Sequence, residues 1–259
     1  MRLVLCCLAI LLGTWSVRAE TEAAYYALLE QMQIAALLEG LSLDPADPPF
    51  ESEDAAVLEA WRAAVARYGD MREAARVVAQ TLADISEPED LTQLRAIAGD
   101  ALWQQAMAAE LATRRRDDEA VRAEGSALVA QYARTDPERL AAIRAVEEAR
   151  WATELALLVN NATAFLRSAA AGDRYELGPW PTVHSPYMPM QARQHAYAVL
   201  ALSYRELSVE EVQRLGRMWR EPVMQRLTAG IFAGMGAVYW GRIHKIADLL
   251  EEAATTDQP

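Results

Sequence analysis

Apolar residues recur every three or four positions along almost the whole chain, and this spacing predicts α-helices. A first pattern is ended by the glycine- and proline-containing segment 40–52. A longer pattern runs from Val57 to Ile85, where Gly69 either bends the helix or divides it. No run alternates apolar and polar residues as a half-buried strand would. The sequence therefore predicts an all-α fold, built as a helical bundle of stacked helical hairpins.

Two segments that follow continue the helical spacing. Ser86–Glu89 stops the second pattern and caps a helix whose apolar face extends from Leu91 to Leu111. Charged residues dominate 114–119, and Asp136-Pro137 then begins a helix that reaches about Ala171, with proline at its first position.

The first nineteen residues have the composition of a secretory signal peptide. Arg2 supplies a basic region, Leu3–Leu12 an apolar core, and Val17-Arg18-Ala19 a cleavage site of the small-x-small type. The apolar run is shorter than the roughly 20 residues needed to span a bilayer, which argues against an uncleaved anchor. We therefore predict cleavage after Ala19 and a protein of the bacterial periplasm, or a secreted one.

The chain is acidic, with a formal net charge of −12. Loss of Arg2 and Arg18 with the signal peptide takes this charge to −14. Such a charge argues against nucleic acids and anionic membrane surfaces as partners. It favours solubility and is compatible with a cationic partner. Cys6 and Cys7 are lost with the same peptide, so the mature chain is predicted to be cysteine-free and stabilised by its core.

Two stretches of the chain match when the sequence is offset by 121 residues. Segment 89–105 then lies over 210–226, with apolar positions in register and Gln104 over Gln225. We interpret the match as one helix–turn–helix unit used twice. The chain divides accordingly into an N-terminal helical unit, 20–130, and a C-terminal unit, 131–259, which can also pack as one domain.

Pro222 interrupts the helical pattern that begins at the Ser208 cap. Ala101 stands at the matching position of the first copy, so the proline is dispensable to the repeated unit. We interpret Pro222 as a bend in a helix rather than as part of an active site.

The same C-terminal stretch resembles a known protein family over residues 190–240. The residues that carry the resemblance are a tyrosine in an apolar helix, a serine cap with an acid, and an aromatic before a proline: Tyr204, Ser208, Glu211, Leu215, Trp219 and Pro222. They are similar to the tail of the exported bacterial family catalogued as domain of unknown function 2059. The resemblance implies export and an all-helical fold, but no reaction and no catalytic residue. The chain departs from the family pattern at Glu221, where a small residue is expected, and at Met224, where glycine is expected.

Signatures of catalysis are absent from the sequence. It has no Gly-x-Ser-x-Gly elbow, no Ser-x-x-Lys pair and no glycine-rich phosphate loop. Neighbouring acids such as Glu147-Glu148 point to different sides of a helix, so we predict solvated faces rather than a paired acid and base. We predict no catalytic residue, no metal site and no cofactor.

The alternative is a periplasmic hydrolase or metal-dependent enzyme. His184 and His195 could approach each other if the intervening loop folds back, with Asp173 or Glu176 as an oxygen ligand. None of these residues has the local spacing of a zinc site.

Two segments are candidate binding elements. Segment 172–189 contains four prolines and cannot be a regular helix; it either presents its aromatic residues to a partner or covers the helical core. Segment 228–241 has a Gly-x-x-x-Gly spacing, which admits another helix of the chain, forms a groove for an apolar ligand or partner helix, or inserts into a membrane surface. The predicted binding residues are Tyr175, Trp180, Tyr187, Gly230, Gly234, Tyr239 and Trp240.

The leading functional hypothesis is therefore a non-enzymatic binding or protein-interaction module. Its partner is an unknown protein or an apolar ligand, and it is not an integral membrane protein, because no later segment is long and apolar enough to span a bilayer.

Overall fold

The computed structural model describes residues 19–87, 89–150, 152–173 and 188–256, and within them the fold is all-α with no strand. The predicted signal peptide lies outside the described residues, apart from Ala19. The described residues form twelve helices: α1 (19–31), α2 (Ile34–Glu39), α3 (Ala55–Tyr68), α4 (Ala74–Ile85), α5 (Asp90–Ala98), α6 (Ala101–Arg114), α7 (Asp118–Thr135), α8 (Pro137–Arg150), α9 (Ala152–Ala170), α10 (Met188–Ser203), α11 (Val209–Trp219) and α12 (Pro222–Thr256).

Several helices that the pattern predicts as continuous are divided. Gly69 divides the long second pattern, because α3 ends there with the Gly69 N–H donating to the Val65 carbonyl. The first pattern is divided at Gln33, which has a positive φ of 62°. That conformation is costly for a residue with a Cβ and needs support from surrounding contacts.

Pro222 is the first residue of α12 rather than a bend within one helix. The helix before it ends at Trp219, and only Arg220 and Glu221 lie between the two helices. Proline is favoured at a first helical position, where its missing N–H would have no helical partner. The bend predicted at Pro222 is therefore a complete break.

The break recurs at the matching place in the first copy. Helix α5 ends at Ala98, Gly99 and Asp100 intervene, and α6 begins at Ala101. Adding the 121-residue offset to Ala98 and Ala101 gives Trp219 and Pro222.

Helix α7 lies where the sequence suggested only a charged segment. It begins after Asp117, whose side chain accepts a hydrogen bond from the Ala120 N–H. It packs closely on α10 at Gly125, where an added Cβ would come within 2.5 Å of the Ala198 carbonyl oxygen. Because small residues make this contact, α7 has few large apolar side chains in the stripe that marks the other helices in the sequence.

One main hydrophobic core contains residues of both units. Helix α12 runs through it and packs on α3, α4 and α9, while α10 packs on α6, α7 and α9, and α11 on α8. The largest side chains with under 2% exposure include Tyr25, Trp61, Trp103, Phe165 and Tyr204. No helix in the described part of the chain is both long and apolar enough to cross a membrane.

Candidate functional site

The glycines of the predicted binding segment lie against helix α4. A Cβ on Gly230 would come within 2.4 Å of the Leu82 side chain, and a Cβ on Gly234 within 2.8 Å of the Val78 Cα atom. The two glycines therefore allow the backbones of α12 and α4 to approach closely. This is the packing alternative stated above; the space beside both glycines is filled by α4.

An aromatic cluster follows on the same helix. Tyr239 is buried, Trp240 is half-buried, and their rings lie edge to face with centroids 6.1 Å apart. The His244 ring lies 6.3 Å from Trp240 and 4.9 Å from Phe165 of α9. Burial raises the pKa of Tyr239, so its hydroxyl stays protonated. We define Phe165, Tyr239, Trp240 and His244 as the aromatic cluster.

The other predicted binding residues, Tyr175, Trp180 and Tyr187, lie outside the described residues, as do His184 and Glu176. The segment that carries them leaves α9 close to the end of α12. Gly172 has a positive φ of 69°, and a Cβ there would lie 3.7 Å from Ala254.

His195 on α10 approaches an acid from α7. Its Nε2 atom lies 3.6 Å from Asp118 Oδ1. Burial lowers the pKa of His195 despite this carboxylate, so the neutral imidazole is favoured at neutral pH. Asp173 lies beyond the end of α9 and is exposed. Among the described residues no group of three or more histidines, cysteines or acids is arranged to hold a metal ion.

Three ionisable groups form a buried cluster that the sequence did not reveal. Glu110 of α6 is fully buried, and its Oε1 accepts hydrogen bonds of 2.5 Å from both Arg150 Nη1 and the Tyr204 hydroxyl. The Arg150 guanidinium also lies over the Trp219 ring, 4.9 Å from its centroid. Helices α6, α8 and α11 thus meet the end of α10 at one point. We call Glu110, Arg150 and Tyr204 the ionic cluster.

Electrostatics keep the ionic cluster charged. Burial alone would raise the pKa of Glu110, but the charges of Arg150 and Arg114 and the hydrogen bonds from Arg150 and Tyr204 together outweigh it, and the net shift is downward. Burial and the neighbouring carboxylate both raise the pKa of Tyr204, so the phenol remains a hydrogen-bond donor. An anionic Glu110 held by a cation and a neutral phenol supports the packing of three helices. Because Glu110 and Tyr204 are almost inaccessible, this arrangement cannot meet a substrate from solvent.

A signal for Glu110 was present in the sequence. The buried positions of α6 include Trp103, Ala106, Met107, Glu110 and Thr113, which recur at helical spacing. An acid in register with an apolar face is expected to be buried and paired. The prediction that Glu147 faces solvent is also wrong: it is 3% exposed, and the Thr153 hydroxyl donates to it.

A second buried acid fixes the two units to each other. Asp90 is 1% exposed, its Oδ2 accepts a 2.8 Å hydrogen bond from Arg226 Nε, and the Arg226 Nη2 donates to its other oxygen. It also accepts from the Glu87 N–H at 2.9 Å. The hydrogen bond from Arg226 lowers the pKa of Asp90 more than burial raises it.

This pair predicts a specific loss of stability in acid. Because the pKa of Asp90 is lower in the folded chain than in the unfolded chain, its contribution is complete above the unfolded value of about 4. It is lost as the pH falls through the folded value. Replacement of Arg226 by methionine removes the cause of the shift. In urea titrations at pH 6 and pH 3, we expect the wild type to lose more stability on acidification than Arg226→Met.

The control for this experiment is Arg122→Met, which removes the same charge from an exposed pair with Asp118. It should lose as much stability on acidification as the wild type. An identical acid response in Arg226→Met would show that Asp90 does not contribute to the pH dependence.

The N-terminal part of the described chain carries most of the net charge. Between Glu20 and Trp61 the sequence has ten acids and no lysine or arginine. Eight of these acids are exposed: Glu20, Glu30, Glu39, Asp44, Asp47, Glu51, Glu53 and Glu59. Such a face attracts cations at low salt and repels anions.

The acidic segment comes close to the helix that bears part of the aromatic cluster. Arg167 of α9 donates a 2.5 Å hydrogen bond from Nε to the carbonyl of Pro49. Pro49 belongs to segment 40–54, which connects α2 and α3, and Phe165 lies two residues before Arg167.

Comparison with protein families, with curated proteins and with solved structures finds no match to this chain. The similarity of residues 190–240 to the exported family of unknown function therefore remains a prediction from the motif alone. What the structure defines is an all-α bundle with a buried ionic cluster, a partly accessible aromatic cluster and an acidic N-terminal face.

Proposed function

We propose that the protein is a non-enzymatic binding module of the bacterial envelope that holds a protein partner or an apolar ligand at the aromatic cluster. The observation that carries this proposal is the half-buried Trp240, whose ring lies edge to face with Tyr239 and close to the tilted ring of His244 at the side of α12. Tryptophan and tyrosine are the residues most enriched at the energetic centres of interfaces. The proposed export rests on the signal-peptide pattern of residues 1–19.

The surroundings of the aromatic cluster support a protein partner that carries both apolar and basic residues. The acidic segment 40–54 reaches α9 through the Arg167–Pro49 hydrogen bond, so apolar and acidic surfaces lie on neighbouring elements. A partner that offers basic side chains beside an apolar element fits both. Its association would be faster at low salt, since opposite charges steer the encounter.

The distribution of reactive groups argues against the hydrolase alternative. In the part of the chain that the structure describes, Asp90 and Glu110 are buried in ion pairs, the exposed Asp70 is paired with Arg72, and His195 faces Asp118. A catalytic acid or base must reach the substrate within hydrogen-bond distance.

The test compares Trp240→Ala with the wild type, both purified from the periplasm of the native host and measured by native mass spectrometry. We expect the wild type to retain a bound mass and Trp240→Ala to bind roughly 30-fold more weakly, the effect of losing an interface residue worth about 2 kcal/mol. The spectrum also reports the processed N-terminus, which we expect at Glu20.

Two further variants make the result specific. Trp240→Phe keeps an aromatic ring and should retain most of the bound mass. Met190→Ala truncates a side chain on α10 that is 51% exposed, and should bind as the wild type does. A wild type that carries no bound mass, or a Trp240→Ala variant that keeps all of it, would overturn the proposal.

A further inference from the structure

The two helix breaks are held by the same side-chain contact. In the first unit, Gln104 Nε2 donates to the carbonyl of Ala98, at the end of α5, at 2.6 Å. It also donates to the carbonyl of Gln31, at the end of α1, at 2.8 Å. One amide group therefore joins the break between α5 and α6 to the end of the first helix.

The second unit repeats this geometry. Gln225 Nε2 donates to the carbonyl of Trp219, at the end of α11, at 2.6 Å. It also donates to the carbonyl of Ala149, near the end of α8, at 2.8 Å. Gln104 and Gln225 are themselves separated by 121 residues.

The start of the preceding helix is repeated as well. The Glu87 N–H donates to the Asp90 carboxylate at 2.9 Å, and the Ser208 N–H donates to the Glu211 carboxylate at 2.7 Å. Both acids follow their donor by three residues, and both pairs keep the offset of 121. The capping contact and the contact of the glutamine with the preceding helix end thus occur in both units at the same offset of 121. Similarity between two helices does not by itself produce both matches.

The two units interlock in a reciprocal way. Helix α4 of the first unit packs on α12 of the second, and α10 of the second unit packs on α6 of the first. Each unit thus places the second helix of its broken pair, α6 or α12, against the helix of the other unit that precedes the broken pair, α10 or α4. Such a chain has a competing arrangement, in which α4 pairs with α6 and α10 pairs with α12 within their own units.

At the ionic cluster, charged residues stand at positions whose equivalents in the other unit are apolar. The offset of 121 places Glu110 opposite Ile231, a partly buried residue packed on the core. Helices α1 and α8 match at a different offset. The carbonyls of Gln31 and Ala149, which accept hydrogen bonds from Gln104 and Gln225, are 118 residues apart. With that offset Arg150 corresponds to Met32, which is fully buried. The two residues of the ion pair, one from each unit, therefore correspond to two apolar residues, again one from each unit.

The same offset of 118 aligns the buried positions of α1 and α8. It pairs Tyr25 with Ile143 and Leu28 with Val146, and all four are at most 2% exposed. The correspondence of Arg150 with Met32 thus rests on burial as well as on the glutamine contacts.

We propose that the chain is an internal duplication of one broken-helix unit, in which the ionic cluster, whose equivalent positions Ile231 and Met32 are apolar, selects the interlocked pairing of the helices. In the interlocked arrangement Glu110 of α6 reaches Arg150 of α8 and Tyr204 at the end of α10. In the competing arrangement α6 would meet helices of its own unit, and the buried carboxylate would lose Arg150 and the Tyr204 hydroxyl, keeping the charge of Arg114 on its own helix. Breaking a buried ion pair is strongly unfavourable, and buried polar groups can specify how helices pair.

The experiment replaces the ionic cluster by apolar side chains in the variant Glu110→Ile/Arg150→Met/Tyr204→Phe. The first two replacements are the residues found at the equivalent positions, Ile231 and Met32. The full chain carries Cys6→Ser and Cys7→Ser and has spin labels on cysteines at Gln80 of α4 and Ala237 of α12, both exposed. Electron spin resonance measures the distance between the labels. We expect one narrow distance in the parent chain, and a second population of about a tenth or more in the triple variant.

The matched control removes a partly exposed ion pair between the same two units, Asp100→Asn/Arg214→Gln, and should keep the single distance. Two results overturn the proposal: a triple variant with the same single distance as the parent, or one that does not fold. The first would show that the pairing needs no selection, and the second that the cluster is required for folding itself.

A second measurement tests the duplication directly. Gln104→Ala and Gln225→Ala each remove one side chain from two carbonyl acceptors. We expect both to raise the unfolding equilibrium constant by a similar factor, roughly 5- to 30-fold, as the loss of equivalent hydrogen bonds predicts. An effect confined to one of the two glutamines would overturn their equivalence.

Discussion

Replacement of Glu110 by alanine is expected to lower the free energy of unfolding by about 3–5 kcal/mol. The carboxylate is fully buried and accepts hydrogen bonds from Arg150 and Tyr204, so its removal leaves a buried guanidinium without its counter-ion. The contact of Arg150 with Trp219 persists, but a cation over an aromatic ring is worth far less than a buried ion pair. The loss is a large fraction of the stability of a typical domain.

Urea titration followed by circular dichroism measures this loss. The matched control is Glu124→Gln, which breaks the exposed ion pair with Arg116 and should cost less than about 1 kcal/mol. Glu110→Gln keeps an acceptor for Tyr204 and should fall between the two. If Glu110→Ala costs no more than Glu124→Gln, the ionic cluster does not hold α6, α8 and α10 together.

The all-α architecture could be predicted because helical periodicity is strong in most segments. The breaks between helices could not, because an interruption of two residues barely changes the phase of a period of 3.6. Apolar positions before and after Gly99, such as Ala98 and Leu102, are four residues apart, as on one face of a single helix. Gly69 and Pro222 were visible as possible interruptions, and after both the helical pattern resumed.

The match of Gln104 with Gln225 was visible in the sequence, but its role was not. A glutamine on a helix usually faces solvent, and only the crossing of a second helix end supplies the carbonyls of Gln31 and Ala149. Contacts between residues more than 70 positions apart depend on the tertiary arrangement, which periodicity does not encode. The same reason concealed the partners of Glu110, since Arg150 and Tyr204 lie 40 and 94 residues away.

The candidate binding residues also include some whose role could be predicted only in part from the sequence. Gly-x-x-x-Gly spacing indicates a close approach of helices but does not say which helix approaches. The structure places α4 there, so Gly230 and Gly234 belong to the packing, and the accessible edge of the aromatic cluster lies at Trp240. Burial therefore separates residues that the sequence grouped together.

Opposite effects are expected from adding a methyl group at two glycines of helix α12. An alanine Cβ at position 234 would lie 2.8 Å from the Val78 Cα and 3.1 Å from the Val78 nitrogen. These are backbone atoms of α4, so relief of the contact must move a whole helix. We expect Gly234→Ala to reduce stability by about 1–3 kcal/mol, although alanine is the better helix former.

Gly236 provides the matched control, because an alanine Cβ there meets no atom within 4 Å. Only the gain in helix propensity remains, and Gly236→Ala is expected to raise stability by up to about 1 kcal/mol. Urea titration of the two variants measures both effects in one helix, two residues apart. A neutral or stabilising Gly234→Ala would contradict the close approach of α12 to α4. A destabilising Gly236→Ala would instead show that this glycine packs against something beyond the described residues of the chain.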